Sequence, residues 1–473
     1  MGTQNHIAAE NSASGIPDWQ LQWTKFDSVQ SLAASPLVRN LRSSSIEGYA
    51  SKTSLYPGES LDLFASGSPE CSVAIDFYRQ GYYEGLGGRH VGAIGPFETT
   101  QQPVPQMSVE RLRECRWDRT ATFQIPDHWC TGVYLAKLSR VEDFGSQSYV
   151  IFVVKSRHPA DLLIQVSDLT WQSYNKWPAS DSIYDDGSGP VWYSGPNVRV
   201  SFNRPYSKYC QVVDAPLSLG SGEFLLWEHP LTFWAEAQGY SIAYCSNLDL
   251  HLDPGVLDRA KAFVSVAHDE YWSREMYEAI LNAREDGLSL AFFSGNALFH
   301  EIEFYESEMD GAPCRSFAHK QRFSDEDLLM GTKSYGSAAG DWVVANPDHW
   351  VYDGTGLPNG DRILGLIGWE YHGTPADIPG LEVVARADLF PRSHAINPDQ
   401  VHAAVAFPCS QGNWVFNAGT IWWPEGLSQP PGHVPARTGR SGPQGVSRHV
   451  QRSTQNVLNR MLTDSPRHFS EIE

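Results

Sequence analysis

Residues 260–287, AKAFVSVAHDEYWSREMYEAILNAREDG, decide the reading of the chain. The segment AKAFVSVA is a continuous apolar run of strand length, as in a fully buried strand. SREMYEAILNAREDG has helical apolar spacing, with Ser273 placed to cap the helix, Glu275 in its first turn and Gly287 closing it. The run LSLAFFSG follows as another strand. Upstream, ADLLIQVS and YSIAYCS read the same way. Between them, SGEFLLWEHPLTFWAEAQG is helical in spacing, with Pro230 bending or dividing it. Strands alternating with helices predict a parallel α/β sheet.

Outward from that sheet the texture changes. Residues 19–158 carry short alternating runs such as CSVAIDFYRQG, GVYLAKLSR and SYVIFVVKS, broken by Gly, Pro and Asp about every ten residues. They predict an antiparallel β-sandwich of immunoglobulin-like type, ending near Pro159. Residues 1–18 are small and polar and are expected to be disordered. Residues 159–473 form the α/β domain, with LEVVARADL, AAVAFPC and NWVFNAGT as further strands and QRSTQNVLNRMLTD as a closing helix. The Gly/Pro/Ser-rich residues 425–446 read as a surface excursion. At 473 residues, two cores are expected rather than one.

The bulk numbers narrow the function. A net charge of −20, from 35 basic and 55 acidic residues, repels nucleic acid, and no Lys/Arg run offsets it. The start, MGTQNHIAAENSASG, lacks the basic and apolar regions of a secretory leader, and no apolar run has the length of a membrane span. The seven cysteines form no C-x-x-C pair and read as reduced, buried thiols. The expectation is a cytoplasmic protein without nucleic-acid or membrane partners. The 16 Trp and 20 Tyr suggest aromatic-lined clefts.

The chemistry concentrates where the strands end. Ligands of open parallel sheets bind outside the carboxyl ends of the strands. In extended chain His268 and Glu270 share a face, while Asp269 faces away. A polar strand-to-helix corner could account for these residues; so could a metal ligand or base at Glu270 with His268 as its proton-transfer neighbour. Asn296, after AFFSG, could steady a developing oxyanion or simply belong to a turn. The run DLTWQSYNKW is either pocket wall or aromatic packing. No G-x-S-x-G, H-E-x-x-H or G-x-x-x-x-G-K-[ST] is present, and HEIEF at 300–304 lacks the second His. What remains is a set of Tyr, Glu and Asp oxygens. Such a set suits a hard cation, ferric iron being the natural partner of phenolate.

The strings TGVYLAKL, DLTWQSYNKW, SFNRPY, VAHDEYWS, FFSGN and WVFNAGT, in that order from residue 131 to 420, resemble the large chain of the N,N-dimethylformamidase family. The resemblance implies an immunoglobulin-like domain followed by a glutamine-amidotransferase-like (flavodoxin-like) α/β domain without the amidotransferase cysteine. It implies a mononuclear ferric site held by Tyr134, Tyr174 and Glu270, with Tyr184 and Tyr271 as the competing phenols. It places His268 and Asn296 beside the substrate, Glu370 as the carboxylate that activates water, and Trp171, Trp177 and Phe299 as the apolar wall. The implied activity is hydrolysis of the C–N bond of a small N-substituted amide or formamide. The alternatives are an iron-dependent lyase or natural-product tailoring enzyme using the same site, and a non-catalytic binding protein. The family's large chain carries a long N-terminal region and pairs with a small subunit, whereas here the sandwich begins almost at once; the expected partners are a small amide and further copies of the chain, a small subunit being doubtful.

Overall fold

The computed structural model describes residues 5–27, 42–143, 146–188, 198–207, 218–336, 338–387, 389–391, 401–434 and 445–469. They form an all-β part followed by an α/β part, with several sheets and no barrel. In the all-β part, strands Glu47–Ala50, Ser60–Ser66 and Ala121–Gln124 make one sheet. Strands Ser54–Leu55, Cys71–Gln80, Gly88–Thr99, Gly132–Arg140 and Gln147–Val154 make the other. The period-two pattern of CSVAIDF turns Val73, Ile75 and Phe77 inward, into one cluster with Leu61 and Leu63 of the facing sheet.

Strands Gly132–Arg140 and Gln147–Val154 are buried on both faces. Tyr134, Ala136, Leu138, Val150 and Phe152 fill the interior between the two small sheets. Val133, Leu135, Ile151 and Val153 point the other way, into the cluster that includes Leu162, Ile164 and Val166 of the large sheet. Each such side chain contributes about 1.5–3 kcal/mol on burial. One pair of strands thus serves two cores.

An ion pair reinforces that junction. Arg79 of strand Cys71–Gln80 meets Glu236 of helix His229–Ala237 at 2.8 Å, and neither side chain reaches solvent. The remaining polar atoms are matched. Arg79 also donates to Thr131 O and Gln80 O, and Glu236 accepts from Tyr244 Oη and Asn11 Nδ2. Asn11 closes helix His6–Asn11, so the disorder expected for residues 1–18 is corrected from residue 5 on. Polar Asn11 and Glu10 are held there by Tyr82, Tyr83 and Arg89, and Ile7 is buried. Residues 1–4 lie outside the described residues, as do 435–444 of the expected surface excursion.

The α/β part is built on one large mixed sheet. Its parallel half runs Ile242–Ser246, Ala160–Val166, Ala260–His268, Ser289–Gly295, Trp414–Asn417, which is 2-1-3-4-5 in chain order. That order occurs in doubly wound sheets, whose ligands bind where the order reverses, beside the first and third strands. Helix Arg274–Glu285 covers one face through Met276, Tyr277 and Ile280. Helix Arg448–Thr463 covers the other through Val457, Leu458 and Met461. Ser273 caps the first of these, its hydroxyl accepting from Met276 N, as the sequence predicts. Pro230 divides the upstream run into helices Phe224–Trp227 and His229–Ala237.

The antiparallel half, Ala403–Pro408, Glu382–Arg386, Ala338–Val344 and Arg362–Ile367, continues the same sheet. Among the described residues no helix is long and apolar enough to cross a membrane, and the six cysteines are free thiols.

The buried pair generates a prediction. Arg79→Met should cost about 3–5 kcal/mol by leaving Glu236 charged and unpaired. The double variant Arg79→Met, Glu236→Leu should cost markedly less. Urea unfolding of the two variants measures the difference; equal costs would mean that the two groups are not coupled.

Candidate functional site

The polar groups converge at the carboxyl ends of the first and third strands. Strand Ala160–Val166 leads through Ser167 into helix Asp168–Tyr174, which ends on Tyr174. Strand Ala260–His268 leads into Asp269, Glu270 and Tyr271. Tyr174 Oη donates to Glu270 Oε2 at 2.6 Å. Tyr184 Oη donates to Tyr174 Oη at 3.1 Å, lies 3.4 Å from Glu270 Oε1, and bonds the Tyr271 hydroxyl. Three phenols therefore gather on one carboxylate, Tyr174 and Tyr271 buried and Tyr184 partly so.

Imidazoles and a second carboxylate complete the cluster. His268 Nδ1 bonds Glu223 Oε2 at 3.0 Å, while its Nε2 stands 3.2 Å from Glu370 Oε2 and 3.6 Å from Glu270 Oε2. His300 Nε2 is 3.4 Å from Glu270 Oε1, and His300 Nδ1 bonds His319 Nε2 at 2.6 Å. His268, Glu270 and Glu370 each bring a ligand atom within 4.8 Å of the other two, so they could hold a metal ion.

The electrostatics follow from burial and mutual contact. Burial, then the charge of Glu270, pushes the phenols of Tyr174, Tyr184 and Tyr271 well above the ordinary tyrosine range. Burial also opposes ionisation of Glu270. The bond and charge of His268 and the Tyr174 hydroxyl outweigh it and hold this carboxyl below its usual value. For His268 burial favours the neutral ring, but Glu370, Glu223 and Glu270 together raise it well above the histidine range. Glu370 is pushed up to about 7, by burial first and then by its carboxylate neighbours, against the pull of His268. Burial brings His300 down to about 4. Two carboxylates a few ångströms apart are thus driven to different protonation states, the usual basis of acid–base division of labour.

The backbone around the site is bent to fit. Ala267 (φ 47°), Asn296 (φ 57°) and Leu298 (φ 52°) all adopt left-handed conformations at adjacent strand ends. Such residues cost on the order of 1–3 kcal/mol each and cluster at functional sites. Gly295, the partner of His268 across the strands, allows the Glu370 backbone to approach, since a Cβ there would lie 2.3 Å from Glu370 O. Asp269 turns away, as expected, and is bonded by Gln165, Ser265 and Asn247, which ties strand ends together.

The sequence-derived residues fare unequally. Tyr174, Glu270, His268 and Glu370 come together, and Tyr184 and Tyr271 join them. Asn296 is buried one residue past Gly295, with its Oδ1 unbonded. Tyr134 does not belong. Its hydroxyl donates to Cys130 O at 2.5 Å and its ring stacks on Trp129 and Phe152 inside the sandwich. The reason is strand parity: only the odd-numbered residues of this stretch face the large sheet.

The expected wall also changes. Trp177 stands edge-on to Trp117 with its indole N–H on Glu47, and Trp171 donates to Glu228. Of the three expected wall residues only Phe299 adjoins the cluster, edge-on to His300. The aromatic wall beside His268 is instead Trp227, backed by Trp369 and Trp422 at 5.6 and 5.8 Å. Glu223, His300, His319 and these three tryptophans were missed. Trp369, next to Glu370 in IGWEYHG, was the one available clue.

Fold and site together define an α/β-plus-β protein with a buried centre of carboxylates, phenols and imidazoles. Residues 74–435 match the family of N,N-dimethylformamidase beta subunit-like proteins, C-terminal region, and the chain belongs to that family. No curated protein matches it. One similar solved structure is a Paenibacillus cycloisomaltooligosaccharide glucanotransferase complexed with cycloisomaltoheptaose. It is 9% identical over 63% of this chain, with a TM-score of 0.18, and this chain spans 61% of its length. So weak a likeness carries no argument.

The placement of the tyrosines can be checked directly. After loading with ferric iron, Tyr184→Phe and Glu270→Gln should lower bound metal, whereas Tyr134→Phe should retain it and lose about 1 kcal/mol of stability through the bond to Cys130. Metal analysis and urea unfolding decide; loss of metal in Tyr134→Phe would return that residue to the site.

Proposed function

We propose that the protein is an iron-dependent amidohydrolase that cleaves the C–N bond of a small N-substituted amide or formamide. The observation that carries this reading is the juxtaposition, in a chain of this family, of the Tyr174–Tyr184–Glu270 oxygens with the His268–Glu370 pair. The donor set fits a hard cation. It offers three oxygens with no thiolate, beside the buried ion pair of Glu370 Oε2 and His268 Nε2 at 3.2 Å. Tyr174, Tyr184 and Glu270 would hold the iron, with Tyr271 bonded to the Tyr184 hydroxyl. Phenols this far raised become phenolates only when a cation replaces their protons, so loading should release protons. When bound, iron supplies Lewis-acid polarisation of the amide carbonyl.

The remaining work falls to the side chains. Glu370 takes a proton from the attacking water and returns it to the departing nitrogen. His268, charged and fixed by Glu223, steadies the anionic form of Glu370 and sets its direction. The Asn296 amide donates to the carbonyl oxygen as negative charge builds there. Trp227 and Trp369 form an apolar wall against the N-substituents and limit water. The balance is one water and one amide to one carboxylic acid and one amine.

With Glu370 as base, the active form is the ionised one. Because its folded pKa is raised to about 7, kcat/KM should rise with pH through that region. Glu370→Gln should abolish this rise and lower kcat roughly 10²–10⁴-fold while iron content is kept. Amine release from N,N-dimethylformamide, N-methylformamide and acetamide is the assay. A protein that holds iron with tyrosinate colour yet frees no amine from any of them would overturn the hydrolase reading.

A further inference from the structure

We propose that Arg204 is the positioning residue that sets the Tyr174 and Tyr184 hydroxyls against Glu270. The inference rests on the iron site proposed above and concerns how that site is held. Tyr174 and Tyr184 belong to one continuous stretch, which leaves the helix after Tyr174 and runs through irregular backbone to Tyr184. Buried irregular backbone must find partners for its carbonyls. One guanidinium supplies partners for four of them.

Arg204 lies in SFNRPY and is 1% exposed. Its Nη1 donates to Trp177 O at 2.9 Å and Asp181 O at 2.8 Å. Its Nη2 donates to Gln172 O at 3.2 Å and Asn175 O at 3.1 Å, and its Nε to Gln172 Oε1 at 2.8 Å and Ser201 O at 3.2 Å. Four backbone carbonyls of the tyrosine-bearing stretch thus converge on one planar fork. No carboxylate stands within ion-pair distance of Arg204 among the described residues. Burial draws the guanidinium down to about 10, still cationic at neutral pH. A buried cation bonded only to neutral oxygens is costly. The fixed geometry of its five N–H groups is what a lysine could not reproduce.

Smaller ties finish the frame. Asn175 Nδ2 donates to Pro205 O, and Asn175 Oδ1 accepts from Trp177 N and Ser207 N. Lys176 meets both Asp185 oxygens at 2.9 and 2.8 Å, and Ser182 N donates to Asp185. Asp185 follows Tyr184 directly, so this pair closes the stretch and returns Tyr184 to Tyr174. The carbonyls of 172 and 175 lie to either side of Tyr174, and that of 181 precedes Tyr184. Moving the fork therefore changes the hydroxyl spacing from both ends, although Arg204 is bonded to neither phenol.

The test uses the full-length chain loaded with ferric iron, comparing wild type, Arg204→Lys and the milder Gln172→Met, which removes one side-chain acceptor of the fork together with that oxygen's bond from Asn175 Nδ2. Thermal unfolding of each metal-free protein shows whether it is folded. The readouts are iron affinity and the position of the visible tyrosinate-to-iron band. In folded Arg204→Lys, affinity should fall roughly 10–100-fold and the band should move, the range usual for groups that orient metal ligands. Gln172→Met should shift both in the same direction by less. Unchanged affinity and band in a folded Arg204→Lys would overturn the proposal. If that variant does not fold, an unchanged band in folded Gln172→Met overturns it. A wild type that binds iron without any tyrosinate band would instead refute the site itself.

Discussion

An ionised carboxylate cannot lie buried at the end of a parallel strand unless its charge is answered, and Glu270 is such a group. The surroundings supply the answer from every side. Tyr174 donates to it, His268 and His300 stand beside it, and its own backbone is bolted to Thr170 and to the turn at 298–300. The same demand raises Glu370, because a second full charge in that space is opposed by burial and by its neighbours. The division between a carboxylate kept ionised and one kept near neutrality is thus a property of the packing rather than of either residue.

That cluster is possible only because the sheet edge is held from behind. Asp269 gathers Gln165, Ser265 and Asn247, so three strand ends share one buried acceptor. Gly295 lets the strand carrying Glu370 come into backbone contact. The left-handed residues at 267, 296 and 298 are the strained price of the arrangement, tolerated because the strands on either side over-determine them.

Much of this was legible in the sequence, for physical reasons. Buried parallel strands write continuous apolar runs, and a cap followed by an amphipathic repeat writes a helix, so the segment at 260–287 could be placed closely. Glu270 and His268 followed from its end. Tyr134 could not be judged that way: GVYLAKL is apolar on both faces, so its spacing does not say which face meets the sheet. The Tyr174–Tyr184 pairing was hidden for another reason. It depends on irregular backbone folded about Arg204, thirty residues from Tyr174, and no periodicity records such a contact. The antiparallel half of the sheet was only partly readable, because strands such as Ala338–Val344 and Arg362–Ile367 are interrupted by bulges and glycines.

The strands shared by both cores bear on how the molecule could be taken apart. A cut near residue 158 would look natural from the change in sequence texture. It would leave Val133, Leu135, Ile151 and Val153 facing water on one fragment and strip the cover from Leu162 and Ile164 on the other. The β-rich half is therefore less an appendage than a wall of the larger core, and neither piece carries a complete surface of its own.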